Sequence, residues 1–538
     1  MSAMRRPVPS LLVPAVLVAL ALLVGACSSD GDGDATVDTT VARVDGAAFG
    51  ADDLSPLRLE GGDHPRIVDA DGRQVLLRGV NLNTVADYDQ PNPDLEPTFP
   101  YDEAEFAEMA ALGFDVVRLL LSWSRLEPEP GVIDEDYLAE IHAAVDAAAD
   151  QGIYTVLDLH QDAFSKYVAS PPGTTCPDGQ LPAVGWDGAP QWATLTDGAS
   201  TCRSVTGGRE SAGAVVAAWN NFWANTDGIQ DHLVDVWERL GQEFGADPAV
   251  AGYDLLNEPG FGPGVDGTNA ALGAFYGKAI EAVRRGEAAA GAEAPHLVFV
   301  EPVILWSGLG DAPVPTDFTD DPDVVFSPHL YAESISAPGV TIAEGFANAE
   351  AKARDLGTTF WVGEYGWFGD PEEQAGLVAE YARQEDRHLV GGAWWQWRQA
   401  CGDPHSVGDP PDYEPPEVLV HLHRTSCPDG EDLGLTQPWA TTLSRTYPRA
   451  APGRLTRLRN DAPSGAARIR GEVDGEGTLV LWVPDRDLGV PIVNASTGAA
   501  GVVTAADGGF RVEVPVSGAY EVRVTPTGAL QTTGGGED

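Results

Sequence analysis

Two glutamates stand where apolar segments end, and together they could cleave a glycosidic bond. Glu258 follows the mostly apolar run 250–256 and precedes Pro259, while Glu364 follows the mostly apolar run 360–363. Such runs are typical of buried parallel strands, and a proline ends a strand because it cannot donate to a sheet ladder. Ligands of α/β folds bind at the carboxyl ends of strands. Two carboxylates in that position are what glycosidic bond cleavage requires.

The two carboxylates would divide the work of a double displacement. One attacks the anomeric carbon while the other protonates the leaving oxygen, and the carboxyl groups then lie about 5–5.5 Å apart. Negative charges at that separation repel each other, so the pKa of one group rises and that group can serve as the acid. We therefore expect folding to bring Glu258 and Glu364 to opposite sides of one sugar linkage.

Seven further residues, within or just after predicted strands, could assist: Arg118, His160, Asp162, Asn257, His329, Tyr331 and Trp397. We expect Arg118 to lie beneath the mouth of the fold, where it would pair with Glu364 and keep that carboxylate ionised. Tyr331 could donate its hydroxyl proton to the same carboxylate. Asn257 could hydrogen-bond the sugar 2-hydroxyl, and Trp397 could form an apolar floor for the sugar ring.

Each of these residues also has a purely structural interpretation. Arg118 could form a buried ion pair, and His160 and His329 could be hydrogen-bonded core histidines. Trp397 could belong to the core, and Asp162 could cap a turn. Carboxylates that end apolar strands are harder to explain by packing, so the hypothesis of catalysis depends on the two glutamates.

Strands and helices alternate between residues 57 and 447, which we predict to be the catalytic domain. The predicted strands are 75–81, 116–123, 154–160, 250–258, 297–301, 324–331, 359–365 and 390–397. Helical patterns separate most of them, at 103–112, 136–149, 231–244, 269–290, 343–355 and 371–384. Eight such units predict an α/β fold of the (β/α)₈ TIM barrel type. The segment 161–220 is a long loop of the kind that often carries function.

The last part of the chain has a different pattern. Short alternating runs predict a small C-terminal antiparallel β-sandwich over 448–527, with strands at 467–473, 478–483, 501–504, 510–514 and 519–524. We predict a short hairpin at 67–73, before the barrel strands, and a disordered tail over 528–538.

The N-terminus predicts export and anchoring. Two arginines precede an apolar run that is short for a membrane span and ends at Cys27, as in a bacterial lipoprotein signal peptide over 1–27. An ordinary secretory signal with an incidental cysteine is the alternative. Lipid on Cys27 would anchor the protein to the extracellular face of the membrane, with 28–56 as a flexible tether; otherwise the protein would be secreted.

Without Cys27, four of the five cysteines remain, which allows three disulfide connectivities. We favour the sequence-local pairs Cys176–Cys202 and Cys401–Cys427, which suit an oxidising compartment. A metal site is the alternative, but neither a CxxC motif nor clustered histidines accompany these cysteines. No metal or organic cofactor is expected.

The charge balance excludes two classes of partner. With 82 acidic and 32 basic residues, the chain has a formal net charge of -50. Nucleic acid binding requires basic patches, and broad docking on anionic membranes requires net positive charge, so neither is expected. We expect a glycolipid or another β-glycoside as substrate, and contact with a membrane only through the lipid anchor.

Arg118, His160, Asn257, Glu258, His329, Tyr331, Glu364 and Trp397 follow the order and strand positions of glycoside hydrolase family 5, which the region 57–447 resembles. The resemblance implies a retaining enzyme on a (β/α)₈ barrel, with Glu258 as the acid/base and Glu364 as the nucleophile. The segments 158–165 and 394–405 further resemble endoglycoceramidases, which release the oligosaccharide of a glycosphingolipid from ceramide. By that resemblance Asp162 would contact the sugar next to the scissile bond.

The chain departs from that subgroup at one point, because no lysine or arginine occurs between Arg78 and Arg118, where endoglycoceramidases carry a lysine near the sugar. Three hypotheses therefore stay open: an endoglycoceramidase, a family 5 glucanase or β-glycosidase acting on other substrates, and a non-catalytic glycan-binding protein at the cell surface. Aromatic residues of the mouth loops could line an apolar groove for the lipid or simply pack the loops: Trp186, Trp192, Trp219, Phe222, Trp223, Phe261, Trp306, Trp367 and Phe368.

Overall fold

Eight parallel strands curl into a closed barrel. The computed structural model describes residues 41–262, 264–335, 339–407 and 413–528. The barrel strands are Arg78–Leu82, Val116–Ser122, Tyr154–His160, Val250–Asp254, Leu297–Val300, Val324–Phe326, Val362–Tyr365 and Gly392–Trp394. The sixth and seventh strands close the ring through the pair Phe326 and Phe360. Each strand overlaps its predicted segment, so the (β/α)₈ prediction is confirmed.

Helices cover the outside of the barrel. The six predicted ones are present, at Glu103–Ala111, Glu135–Asp150, Ile229–Phe244, Val265–Ala290, Ile342–Asp355 and Pro371–His388. Shorter helices occupy Trp123–Leu126, Gly213–Trp223, Leu305–Leu309 and Trp439–Leu443, and 3₁₀ turns occupy Ala51–Asp53, Lys166–Val168, Gln191–Ala193, Arg209–Ser211 and Thr226–Gly228. No helix in the described part of the chain is both long enough and apolar enough to cross a membrane.

The C-terminal region forms the predicted antiparallel β-domain, but two of its strands are longer than expected. The strands are Tyr447–Pro452, Arg454–Asp461, Ala466–Pro484, Pro491–Ala495, Val502–Ala506 and Gly509–Pro526. The segments predicted as separate strands at 467–473 and 478–483 are two halves of one strand, which bends at a bulge between Val473 and Glu476. Gly475 in this bulge has a φ of +92°, so the glycine that suggested a turn instead bends a continuous strand.

The N-terminal segment from residue 41 is part of the β-domain, so the predicted flexible tether over 28–56 is wrong for residues 41–56. Val41–Arg43 pairs in parallel with Val502–Ala506. Phe49 is buried, and the guanidinium carbons of Arg449 and Arg511 lie 4.1 and 5.0 Å from its ring centroid. The strand pairing and the buried Phe49 with its two cation–π partners together hold a segment whose composition otherwise predicts disorder.

Several terminal predictions lie outside the described residues. They concern the signal peptide over 1–27, Cys27, the first part of the tether and the tail beyond residue 528. The hairpin predicted at 67–73 is present, and its strands Arg66–Val68 and Arg73–Gln74 continue the sheet that contains Arg58–Glu60 and Tyr447–Pro452.

Two long loops rise around the mouth of the barrel, and a disulfide closes each. Cys176–Cys202 lies in the loop after the third strand, and Cys401–Cys427 lies in the loop after the eighth, so both favoured pairings are confirmed. The first loop contains a two-stranded sheet, Gln180–Pro182 with Cys202–Ser204. The second contains a three-stranded sheet, Val418–Val420, His423–Ser426 and Glu431–Leu435.

The packing of Phe49 predicts that the substitution Phe49→Ala lowers the free energy of unfolding by about 3 kcal/mol, since large-to-small changes at buried aromatic residues cost that much. The control is Val44→Ala, which shortens an exposed side chain of the same segment. It should change the free energy of unfolding by less than about 0.5 kcal/mol. Chemical denaturation followed by tryptophan fluorescence measures both. Equal, small effects would mean that residues 41–56 behave as a tether after all.

Candidate active site

The two predicted carboxylates meet at the mouth of the barrel. Glu364 lies on the seventh strand, Val362–Tyr365, and Glu258 lies four residues beyond the end of the fourth strand, Val250–Asp254. One carboxylate oxygen of each lies within 4.8 Å of the other. Nδ1 of His329 lies between them, 3.0 Å from Glu258 and 3.3 Å from Glu364. This separation fits one sugar linkage, as a double displacement requires.

Backbone contacts hold Glu258 in an uncommon conformation. Its φ is +38°, in a region that non-glycine residues rarely occupy. Its N–H donates to Glu301 at 2.8 Å, and the Gln161 side-chain amide donates to its carbonyl at 2.9 Å. Ser307 donates its hydroxyl proton to the carboxylate at 2.5 Å. The strained corner after the strand therefore aims the carboxylate into the cleft.

Glu364 is held from below and from the side. Arg118 donates to one of its oxygens at 2.9 Å, and the Tyr331 hydroxyl donates to the other at 2.9 Å. Arg118 is fully buried beneath the mouth and also contacts the Asn257 side-chain oxygen at 2.9 Å. The remaining N–H of the Asn257 amide group, beyond the one donated to the Gln161 carbonyl, is available to a ligand.

The electrostatic surroundings of the two glutamates differ. Burial and the charge of Glu258 raise the pKa of Glu364 above its usual value, although His329 and Arg118 oppose this. Burial alone would also raise the pKa of Glu258, but His329 and Arg209 lower it below the usual value. Carboxylates around His329 raise its pKa well above the usual range, against the effect of burial, so it carries a positive charge at neutral pH. The raised pKa thus belongs to Glu364 and not to the expected acid Glu258, because burial outweighs the pairing of Glu364 with Arg118, so the expectation drawn from charge repulsion is wrong for this pair.

A polar wall lines one side of the cleft, which has a volume of about 630 Å³. Asp162 lies in this wall, where Arg209 pairs with one oxygen and His405 Nε2 lies 2.9 Å from the other. His160 lies next to it and contacts Asp158 at 2.8 Å through Nδ1. Burial would raise the pKa of Asp162, but Arg209 and His405 lower it well below the usual range. The wall therefore presents an ionised carboxylate between fixed donors, a suitable surface for sugar hydroxyls.

Apolar residues, which we call the apolar lip, line another part of the same cleft. They come from the loops after the fifth, sixth, seventh and eighth strands: Ile304, Ile335, Phe368, Val418, Leu419 and Val420. Ile335 is 65% exposed, an uncommon value for a large apolar side chain. Of the loop aromatic residues that the sequence offered for a lipid groove, Phe368 lines the cleft; Trp219, Phe222, Trp223, Trp306 and Trp367 are buried. The apolar surface is therefore mainly aliphatic.

The prediction that Trp397 forms the floor of the sugar site is wrong. Trp397 is buried, packs on His423 at a ring-centroid distance of 4.4 Å and does not line the cleft. Trp395 lines it instead, stacked on His160 at 5.5 Å with an interplanar angle of 16°. The eighth strand ends at Trp394, so the alternation of side chains that would place both tryptophans on one face stops before Trp397.

Besides Trp395, three polar residues of the site had no assigned role in the sequence analysis. Arg209 lies far from the predicted strand ends, in a turn-rich stretch that gives no periodic pattern. Ser307 follows the fifth strand in a segment whose helix has only five residues. His405 lies inside the segment 394–405 that carried the family resemblance, and only its position there could have drawn attention to it.

Fold and site define a glycoside hydrolase. Residues 68–400 match the family model described as "Cellulase (glycosyl hydrolase family 5)", which is more than half of the chain. The chain therefore belongs to glycoside hydrolase family 5, and within it lies close to the endoglycoceramidases.

The similarity extends to the whole described architecture. The crystal structure of an endogalactoceramidase shares 44% sequence identity with a TM-score of 0.81, covering 88% of this chain and 100% of that one. Endo-glycoceramidase II from Rhodococcus sp., bound to a cellobiose-like isofagomine, shares 26% identity with a TM-score of 0.65 over 86% of this chain and 99% of that one. Endoglycoceramidase I of Rhodococcus hoagii (strain 103S) is 27% identical over 445 residues, 76% of each chain.

The positions of the two tryptophans predict different defects. Trp395→Ala should raise KM about tenfold with little loss of stability, because it removes an aromatic surface of the cleft. Trp397→Ala should instead lower the free energy of unfolding by about 3–5 kcal/mol and leave KM near the wild-type value, because it empties a buried site. Steady-state kinetics and chemical denaturation of both variants provide the comparison. A raised KM in Trp397→Ala with a wild-type KM in Trp395→Ala would show that Trp397 forms the floor of the sugar site.

Proposed function

We propose that this hydrolase is a retaining endo-β-glycosidase that cleaves the bond between the oligosaccharide and the ceramide of glycosphingolipids. The observation that carries the proposal is the approach of Glu258 and Glu364 to within 4.8 Å in a cleft with one polar wall and one apolar lip. A glycolipid has the same division, because hydroxyl-rich sugar adjoins an alkyl aglycone at the bond to be cleaved.

In the first step a Glu364 oxygen attacks the anomeric carbon, and Glu258 gives its proton to the leaving oxygen. The glycosidic bond breaks, ceramide departs as an alcohol, and the sugar is held as an ester of Glu364. In the second step Glu258 takes a proton from water, whose oxygen attacks the anomeric carbon and releases Glu364. Two inversions retain the configuration.

The roles follow from what holds each carboxylate. Arg118 and Tyr331 each donate to one oxygen of Glu364, which restricts its rotation and fixes the attacking oxygen. Glu258 contacts Ser307 and Arg209, which both line the cleft, so its carboxylate faces the side on which a leaving group would lie. Glu364 therefore suits the nucleophile and Glu258 the acid/base.

The apolar lip supports a lipid aglycone. Ile335, Phe368 and Val418 are 65%, 39% and 39% exposed, and these apolar side chains adjoin the catalytic glutamates. Covering them with an alkyl chain would remove apolar surface from water. The names of the related endogalactoceramidase and endoglycoceramidases support the same substrate class. Another β-glycoside or a polysaccharide is the alternative substrate, and an intact pair of glutamates argues against a protein that only binds glycans.

Export to an oxidising compartment belongs to the same proposal. The two disulfides support it, because such bonds persist outside the cytosol. A signal peptide ending at Cys27, with lipid on that cysteine, would hold the enzyme at the extracellular face of the membrane. Metabolic labelling with a radioactive fatty acid, compared between wild type and Cys27→Ser, tests the anchor.

The substrate proposal predicts that fluorescent galactosyl-, glucosyl- or lactosylceramide is cleaved to ceramide and an intact sugar or oligosaccharide. Mass analysis of the products identifies the cleaved bond, and carboxymethyl-cellulose and mannan serve as competing substrates. Turnover of the polysaccharides with none of the glycolipids would establish the alternative.

The proposed nucleophile predicts that Glu364→Gln lowers kcat by on the order of 10³-fold or more while substrate binding persists. Glu344→Gln, which changes an exposed glutamate that caps a helix, is the matched control and should keep wild-type turnover. Full activity of Glu364→Gln would remove Glu364 from the nucleophile role.

A further inference from the structure

A cation enters the cleft from the long loop after the third barrel strand. Nη2 of Arg209 pairs with Asp162 of the polar wall and lies 3.3 Å from Oε2 of Glu258. Its guanidinium carbon also lies 4.8 Å from the centroid of the Trp186 ring. Arg209 therefore spans the two carboxylates that face the sugar and the leaving oxygen.

The loop around Arg209 is built to hold this position. Arg209–Ser211 forms a 3₁₀ turn, and the Ser211 hydroxyl accepts from the backbone N–H of Ser204 at 2.8 Å. Ser204 ends the strand that begins at Cys202, the disulfide partner of Cys176. The disulfide and this small sheet thus support the turn from which Arg209 reaches the cleft.

The two ion pairs of Arg209 differ in strength. The contact with Asp162 is a close ion pair, and His405 also lies 2.9 Å from the other oxygen of the same carboxylate. The contact with Glu258 is longer, at 3.3 Å, and Ser307 and His329 bind the other oxygen of that carboxylate. The pair with Asp162 should persist, whereas an oxygen from a ligand can replace the pair with Glu258.

We propose that Arg209 is a positioning residue that ties the sugar-binding carboxylate Asp162 to the acid/base Glu258, and that it gives up its contact with Glu258 when the leaving group of the substrate enters. The proposal rests on the proposed function, since it assigns the leaving oxygen to the side of Glu258 on which Arg209 lies.

The withdrawal of Arg209 would resolve a conflict between the lowered pKa of Glu258 and its proposed role as the acid. An acid must hold a proton at the working pH, yet His329 and Arg209 lower the pKa of Glu258. The titratable groups facing Glu258 are His329, Arg209, Glu364, Tyr331 and Glu210. Arg209 is the cation among them that reaches Glu258 from a surface loop, so its withdrawal would raise the pKa of Glu258 when the leaving oxygen arrives.

Arg209 also explains the missing cation of the first barrel loop. That loop lacks a lysine or arginine, and its Asn83 instead donates to Asp403, which contacts His405 at 2.8 Å. His405 and Arg209 then place positive charge on the two oxygens of Asp162. The sugar wall thus takes its charge from the third and eighth loops.

The test is the pH profile of kcat/KM for wild type and Arg209→Gln on the glycolipid that the wild type cleaves best. Loss of the positive charge raises the pKa of Glu258, and activity on the basic limb needs protonated Glu258. The basic limb should therefore move to higher pH, by about 0.5–1 unit. KM should rise about tenfold, because Asp162 loses one of its two cationic partners.

Two further variants separate a positioning role from a purely structural one. Arg209→Lys keeps the positive charge but loses the planar guanidinium that stacks on Trp186, so the basic limb of its pH profile should stay at the wild-type pH while KM rises. Lys166→Gln removes a positive charge from the same loop, at an ammonium group that pairs with Asp87 at 2.7 Å, and should change neither quantity.

The proposal is overturned if Arg209→Gln folds and the basic limb of its pH profile stays at the wild-type pH. If Arg209→Gln does not fold, a wild-type KM in Arg209→Lys overturns it instead. If the wild type cleaves no β-glycoside at all, the proposed function fails instead, so the two failures are distinguishable.

Discussion

One buried guanidinium organises the site. Arg118 contacts four carboxylates at 2.8–2.9 Å, and they come from the third, fourth, fifth and seventh strand ends: Asp158, Asp254, Glu301 and Glu364. Buried ion pairs stabilise a fold little compared with an apolar core, but an unpaired buried charge costs about 3–5 kcal/mol. The barrel must therefore close in the register that brings all four strand ends to Arg118. The stability of the fold does not require this cluster. We infer that its role is to hold the Glu364 carboxylate in position.

The carboxylates around Arg118 also shift the pKa values of their neighbours. Burial and the neighbouring Glu301 raise the pKa of Asp254 well above its usual range, against the effect of Arg118. Carboxylates also raise the pKa of His329 well above its usual range, against the effect of burial, since His329 lies 3.1 Å from Glu301 and close to Glu258 and Glu364.

The sequence predicted the parts of the site that depend on strand ends. Apolar runs located all eight strands, and the order of polar residues after them located both glutamates, Arg118, His329 and Tyr331, because parallel strands bring their carboxyl ends together. The prediction for Trp397 was wrong because the eighth strand ends at Trp394, and side chains alternate between the two faces only within a strand. Arg209 was missed because a loop has no period from which its direction could be inferred. Residues 41–56 were missed because composition does not reveal the pairing of Val41–Arg43 with a strand more than four hundred residues away.

Each of the two disulfides lies in a loop whose side chain contacts Asp162. Cys176–Cys202 supports the turn that presents Arg209, and Cys401–Cys427 encloses His405 in the loop after the eighth strand. Both side chains converge on Asp162, which immediately follows the third strand. A loop fixed by a covalent bond loses less conformational entropy when its side chain pairs with a buried carboxylate. The barrel thus positions Glu258 and Glu364 through its strands, whereas the cross-linked loops supply the charges that hold Asp162 in the polar wall.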